Sequence, residues 1–189
     1  IQRYPYDPEQ AKALLKEAGY GDGFEITLSG PNDRYVQDEK IAEAVAKYLA
    51  KVGIQAKLDV KPKSIFFDEV FDGKLEFYLI GWFDGTYDMG RTYYKIAHSR
   101  DKDKGLGGLN GADYSDPTID ILIEASADII DRAAREQVLQ DLNKIAMEEK
   151  IVWIPLHYQE DLYAIQKDKG IQFDPRPDRW MVYKEISMK

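Results

Sequence analysis

No cysteine occurs among the 189 residues, which excludes disulfides, thiolate catalysis and cysteine-ligated zinc. Histidine is nearly as scarce. His98 and His157 stand alone and far apart in sequence, too few for a metal triad. Positive charge is in the minority: the net charge of −8 argues against nucleic acid as a partner, because phosphate binding needs a basic face. No apolar run approaches the roughly 20 residues a membrane helix requires. The glycine-rich run from Lys104 to Gly111 lacks a Lys-Ser/Thr after its glycines, so it does not read as a phosphate cradle. No serine has nucleophile-elbow surroundings. With 34 acidic residues, carboxylate pairs arise by chance and do not single out a glycosidase. No metal or cofactor is expected. The opening Ile-Gln-Arg-Tyr-Pro-Tyr shows neither an initiator methionine nor a leader, and is expected to lie inside a longer polypeptide.

The pattern that is present alternates strand and helix signals. Asp7-Pro8-Glu9 starts a helix closed by Gly19, with Ala11, Leu14, Leu15 and Ala18 on one face. Phe24 to Leu28 alternates as a strand. Ile41, Val45, Tyr48, Leu49 and Val52 stripe a helix ended by Gly53, and Ile54 to Val60 alternates again. Ser64 is expected to cap a short helix ending at Gly73. Leu75 to Ile80, apolar in most positions, predicts a central strand covered on both faces. This order is the grammar of an α/β fold with a mixed, mostly parallel sheet flanked by helices. Further on, helices are expected over Arg91–His98, after Asp116-Pro117 and from Asp131. A strand is expected over Ile151–Leu156, with Leu162–Ile165 as its partner. Residues 1–167 read as one domain and 168–189 as a trailing extension whose Trp180, Met181 and Val182 need something to pack against.

The segment Leu-Ile-Gly-Trp-Phe-Asp-Gly-Thr-Tyr-Asp from Leu79 to Asp88 is the strongest candidate for a site. A rigid strand end, glycines for turning, and a large ring beside carboxylates suit a guest with an apolar body and a cationic end. A core tryptophan followed by an ordinary acidic loop would give the same local pattern. In parallel sheets ligands lie beyond the carboxyl ends of strands. On that rule the Trp82 turn, the glycine-rich loop and the Trp153–Gln159 strand end are expected to converge.

Five motifs in order make the chain resemble the carboxy-terminal lobe of the family 5 extracytoplasmic solute-binding proteins of ABC transporters. They are Tyr6-Asp7-Pro8-Glu9-Gln10-Ala11-Lys12-Ala13-Leu14-Leu15 through Ala18-Gly19-Tyr20, Ala50-Lys51-Val52-Gly53-Ile54, Leu79 to Trp82, Tyr114-Ser115-Asp116-Pro117, and Trp153-Ile154-Pro155-Leu156-His157. The resemblance implies a periplasmic-binding-protein-like (class II) lobe that closes on solute against an amino-terminal lobe absent from this chain. It implies a non-enzymatic role in capturing oligopeptides or comparable organic solutes. It also implies docking to the transporter's membrane subunits and a periplasmic or extracellular location, with a lipid anchor possible in the full-length protein. Nickel chelates or oligosaccharides are the alternative solutes, and an interaction domain or an enzyme without a recognisable motif is the alternative of another class.

Peptide-binding members of the family often carry an aspartate three residues after the tryptophan; here that place is Gly85. Trp82 is therefore expected as a cleft wall and Asp84, Thr86 and Asp88 as polar contacts, with an acid meeting a cationic group. Tyr87, His157 and Gln159 are expected as further ligand contacts.

Overall fold

The computed structural model describes residues 1, 2 and 4–188, which form two compact units, Ile1–Trp153 and Ile154–Lys189. The first unit is α/β. Its elements are α1 (Pro8–Glu17), β1 (Phe24–Pro31), α2 (Asp38–Ala50), β2 (Ile54–Lys61), α3 (Lys63–Asp72), β3 (Phe77–Tyr78), α4 (Met89–Ile96), α5 (Pro117–Asp128) and α6 (Arg132–Lys144). A π-helical turn, Ile145–Glu149, continues α6. No helix among the described residues is long and apolar enough to cross a membrane.

The sheet runs β2-β1-β3 with every pairing parallel, so the expected strand–helix alternation is borne out. β1 and β2 pair in full register from Phe24–Ile54 to Pro31–Lys61. Two glycines make this approach possible. A Cβ on Gly23 would lie 2.0 Å from the Gly53 carbonyl oxygen, and Gly23 has φ +80°.

Several expectations need correction. The central strand is β1, not the Leu75–Ile80 segment. Only Phe77 and Tyr78 form the β3 ladder there, although Leu79 N–H still donates to Ser29 O at 2.9 Å. An apolar run reports cover on both faces, and a strand at the edge has that cover when a helix and a loop pack over it. Here α3 and Leu109 of the glycine-rich loop do so: Phe66, Val70 and Leu75 form a buried cluster with Phe67, Tyr78 and Leu109. Ser64 does not cap α3. Pro62 takes the cap position, and the Asp33 carboxylate accepts the Lys63 N–H at 2.7 Å. α1 keeps Leu14 exposed and buries none of its residues, so its apolar stripe is only partly covered.

The segments Ile151–Leu156 and Leu162–Ile165 form no strands. Ile151 has φ +48°, a left-handed conformation that ends regular structure and that β-branched residues rarely adopt. Val152 N–H turns back to Ala146 O at 2.8 Å. Pro155 can donate no ladder bond. In the second unit, Ile171–Gln172 (β4) pairs antiparallel with Ser187–Met188 (β5).

A second core joins the helices. Tyr93, Ala97, Ile119, Ile123, Leu139, Leu142 and Ala146 are buried together, with Val152 and Trp153 packed on them. Tyr93 donates its hydroxyl to Asn143 Oδ1 at 2.6 Å, and burial raises its pKa far above the ordinary tyrosine value. Asp116 caps α5 and pairs with Lys150 at 2.8 Å, which lowers its carboxyl to about 2. An unfolded aspartate titrates near 3.9. The stability from this pair is therefore complete above about pH 4 and is lost as pH falls through the folded value of about 2. Comparing melting temperatures at pH 6 and pH 2.5, Lys150→Met is expected to lose less on acidification than the unsubstituted chain. An equal loss would remove the pair from the acid response.

Candidate functional site

β1 and β3 deliver two loops to the same carboxyl edge of the sheet. The loop after β1 is folded around Asp38. Its carboxylate accepts N–H bonds from Arg34 and Tyr35 at 3.0 Å and from Glu39 at 2.9 Å. Burial works against that charge, but the N–H bonds outweigh it and hold the pKa below the ordinary range. Tyr35 is thereby aimed at the second loop, where its hydroxyl donates to Gly81 O at 3.0 Å. Gly81 is required beneath the ring, because a Cβ there would lie 2.7 Å from Tyr35 Cε1.

The turn that follows is held by its own side chains. Trp82 is half-buried and donates its indole N–H to Thr92 Oγ1 on α4 at 3.0 Å. It belongs to neither buried cluster. Asp84 Oδ1 accepts from the Thr86 N–H at 2.9 Å and from the Thr86 hydroxyl at 2.5 Å, while Arg91 Nε lies 3.6 Å from its other oxygen. The Thr86 hydroxyl is the main cause of a lowered Asp84 pKa. Tyr87 closes the turn with φ +56°, its N–H donating to Asp84 O at 3.1 Å. Asp88 caps α4 through Gly90 N–H at 2.8 Å and accepts from Arg135 at 3.0 Å, which is the main cause of its own lowered pKa. The rings of Phe83 and Tyr87 meet edge to face at 6.3 Å and are both largely exposed.

Trp82, Asp84, Thr86, Tyr87 and Asp88 thus share one turn. His157 and Gln159 are exposed residues of the other unit. The glycine-rich loop does not join the turn. It packs beside β3 and the residues leading into it, where Gly111 N–H donates to the Tyr78 hydroxyl at 3.0 Å and Leu75 N–H to Gly111 O at 2.9 Å. Tyr35, Thr92 and Arg135 were not singled out by sequence. Of these only Tyr35 had a local signal, an aspartate three residues on behind a Pro-Asn-Asp turn. Trp82 lines neither of two small cavities, of about 190 Å³ between residues 172 and 187 and about 300 Å³ beside Thr27, Asp59 and Glu69. The turn is a wall rather than an enclosure. It can offer ring surface and backbone groups but cannot bury a guest by itself.

Comparison with known proteins agrees with this architecture. The chain is 26% identical over 164 residues to the heme-binding protein A of Haemophilus influenzae, covering 82% of this chain and 28% of that one. It is 27% identical over 188 residues to the glutathione-binding protein GsiB of Salmonella choleraesuis, covering 92% and 36%. Among solved structures, the periplasmic binding protein DppA of Helicobacter pylori, in complex with the peptide STSA, superposes with a TM-score of 0.68 at 27% identity, covering 77% of this chain and 28% of that one. The chain therefore spans about a third of the length of such relatives, and its fold is that of a periplasmic-binding-protein lobe. Residues 1–104 match the family described as bacterial extracellular solute-binding proteins, family 5 Middle. On that match, which takes in β1, β2, β3 and the whole aromatic turn, the chain belongs to family 5 of the bacterial extracellular solute-binding proteins.

Proposed function

We propose that this chain is the carboxy-terminal lobe of a two-lobed protein that captures an oligopeptide or comparable organic solute for an ABC importer, with no chemistry performed on it. The carrying observation is the aromatic turn 82–88, hydrogen-bonded to α4 at the carboxyl edge of a parallel sheet. Relatives named for glutathione and a neighbour in complex with a four-residue peptide favour a small peptide; the heme-binding relative keeps other organic solutes in view. Trp82 and Tyr87 supply wall area, and Thr86, Asp84 and Asp88 hold or extend its polar rim; His157 and Gln159 are proposed as ligand contacts in their own right. The missing wall belongs to an amino-terminal lobe, toward which residues 168–189 pass. Trp180, 74% exposed, together with the exposed Met181 and Tyr183, supports an apolar partner for that tail. The transporter's membrane subunits dock on an outer surface, and the protein works in the periplasm or outside the cell, soluble or lipid-anchored.

Closing two lobes expels water and encloses the ligand, so one lobe alone should bind poorly. Calorimetric titration of tripeptides into the isolated chain is expected to show no micromolar binding. In the two-lobed protein Trp82→Ala is expected to weaken binding about 10- to 30-fold, roughly 1.4–2 kcal/mol. Micromolar affinity in the isolated lobe would defeat the two-wall reading.

A further inference from the structure

We infer that the 82–88 wall takes up an uncharged, apolar part of the solute rather than an ammonium group, because both of its carboxylates are already paired from within the lobe. This rests on the reading of the chain as a solute-binding lobe.

The two acids are the only charged groups of the turn, and each has partners within the lobe. The Asp84 side chain is 7% exposed and is wrapped by the Thr86 N–H and hydroxyl, with Arg91 on the far oxygen. Asp88 spends one oxygen on two partners, the Gly90 N–H at the start of α4 and the Arg135 guanidinium. Arg135 is itself tied down, since its Nε donates to Ser126 O at 2.9 Å. Gly90 leaves the room this needs: a Cβ there would meet Arg135 Nη2 at 2.8 Å. A solute ammonium reaching Asp88, whose side chain is 35% exposed, would meet a carboxylate already facing the Arg135 guanidinium at 3.0 Å and would gain correspondingly less from it. Arg91 and Arg135 also offset the two acids locally, which reduces their pull on a cation. Both carboxyls sit below the ordinary range for the same reason, Asp84 chiefly through Thr86 and Asp88 chiefly through Arg135.

What the turn presents outward is ring. Tyr87 is 61% exposed and Phe83 45%, set edge to face by the Tyr87 N–H to Asp84 O bond. Such a surface suits an aliphatic or aromatic side chain or a flat amide. The acids serve as internal struts that fix the rings, and Arg135 is a positioning residue acting through Asp88.

Two measurements test this. In the solute-free chain, NMR titration of the side-chain carboxyl carbons is expected to show Asp84 and Asp88 both below the ordinary carboxylate range, with Asp88 returning toward it in Arg135→Met. Ordinary titration of both in the unsubstituted chain would overturn the inference. In the two-lobed protein, Ala-Phe-Ala and its N-acetyl form are titrated against Asp84→Asn and Asp88→Asn. Each substitution is expected to change both affinities by the same factor, within about twofold. A loss tenfold or more greater for the free amine would place the ammonium on that carboxylate and sink the proposal. If neither peptide binds any variant, the solute-binding reading fails for peptides, while the titration still decides whether the carboxylates are free.

Discussion

Phe66→Ala is expected to destabilise the chain by about 3–5 kcal/mol, the range for deleting a fully buried phenylalanine. Phe66 has no exposed surface and lies on α3, clustered with Val70 and Leu75. Its ring meets Phe67 at 5.2 Å and Tyr78 at 6.4 Å. The cluster cannot collapse easily around the gap, because one side is a strand fixed by its ladder to β1 and another is the glycine-rich loop bonded to Tyr78. The effect should reach the candidate site. Tyr78 is the last ladder residue before the aromatic turn, followed only by the Leu79 N–H bond to Ser29 O, so loosening it weakens the hold on Leu79 to Trp82 at one end. Urea unfolding should show a lower midpoint with an unchanged slope, and the melting temperature should fall by roughly 10 °C. Ile130→Ala serves as the control, since Ile130 is wholly exposed and should cost less than about 0.5 kcal/mol. A loss below about 1 kcal/mol for Phe66→Ala would mean that this cluster does not hold β3 in place.

Local chemistry made much of the first unit legible. Asp7-Pro8, Asp116-Pro117 and Asp131 do cap α1, α5 and α6 with their side chains, and β1 and β2 form where expected, although their burial alternates only at their first residues. The misreadings share a cause: the deciding partner is distant in sequence. The Leu75–Ile80 run could not reveal that β1 occupies the middle of the sheet. Ile151–Leu156 looks like a strand until its left-handed start and the Val152 turn-back are seen. Asp88 shows the same problem at the site. An aspartate two residues before a glycine and ahead of a helical stripe is as good a cap as it is a ligand contact. Only the position of Arg135, on a helix far along the chain, shows how its charge is spent. The family resemblance supplied the lobe; it could not supply these pairings.

Arg100→Met is expected to cost about 3 kcal/mol, because it removes a charged donor that serves three main-chain carbonyls at once. The Arg100 side chain is 11% exposed. Its guanidinium donates to Val70 O at 3.2 Å, to Asn110 O at 3.1 Å and to Phe71 O. Val70 and Phe71 lie in the last turn of α3, where carbonyls lack helical donors and a cation is favourable. Asn110 belongs to the loop that packs on β3, and its side chain in turn bonds His98 O and Tyr114 on both sides. One guanidinium therefore fastens the helix behind the sheet to the loop beside it, a link that methionine's apolar chain can fill in volume but not in hydrogen bonds. Lysine restores the charge without the planar fork, so Arg100→Lys should recover less than half of the loss. Hydrogen exchange should quicken most at the Leu75 N–H, which bonds to Gly111 O, and at the Gly111 N–H, which bonds to Tyr78. Full recovery by lysine would reduce the role of Arg100 to a point charge at a helix end. Unchanged exchange at those two amides would show that α3 and the loop hold β3 independently of each other.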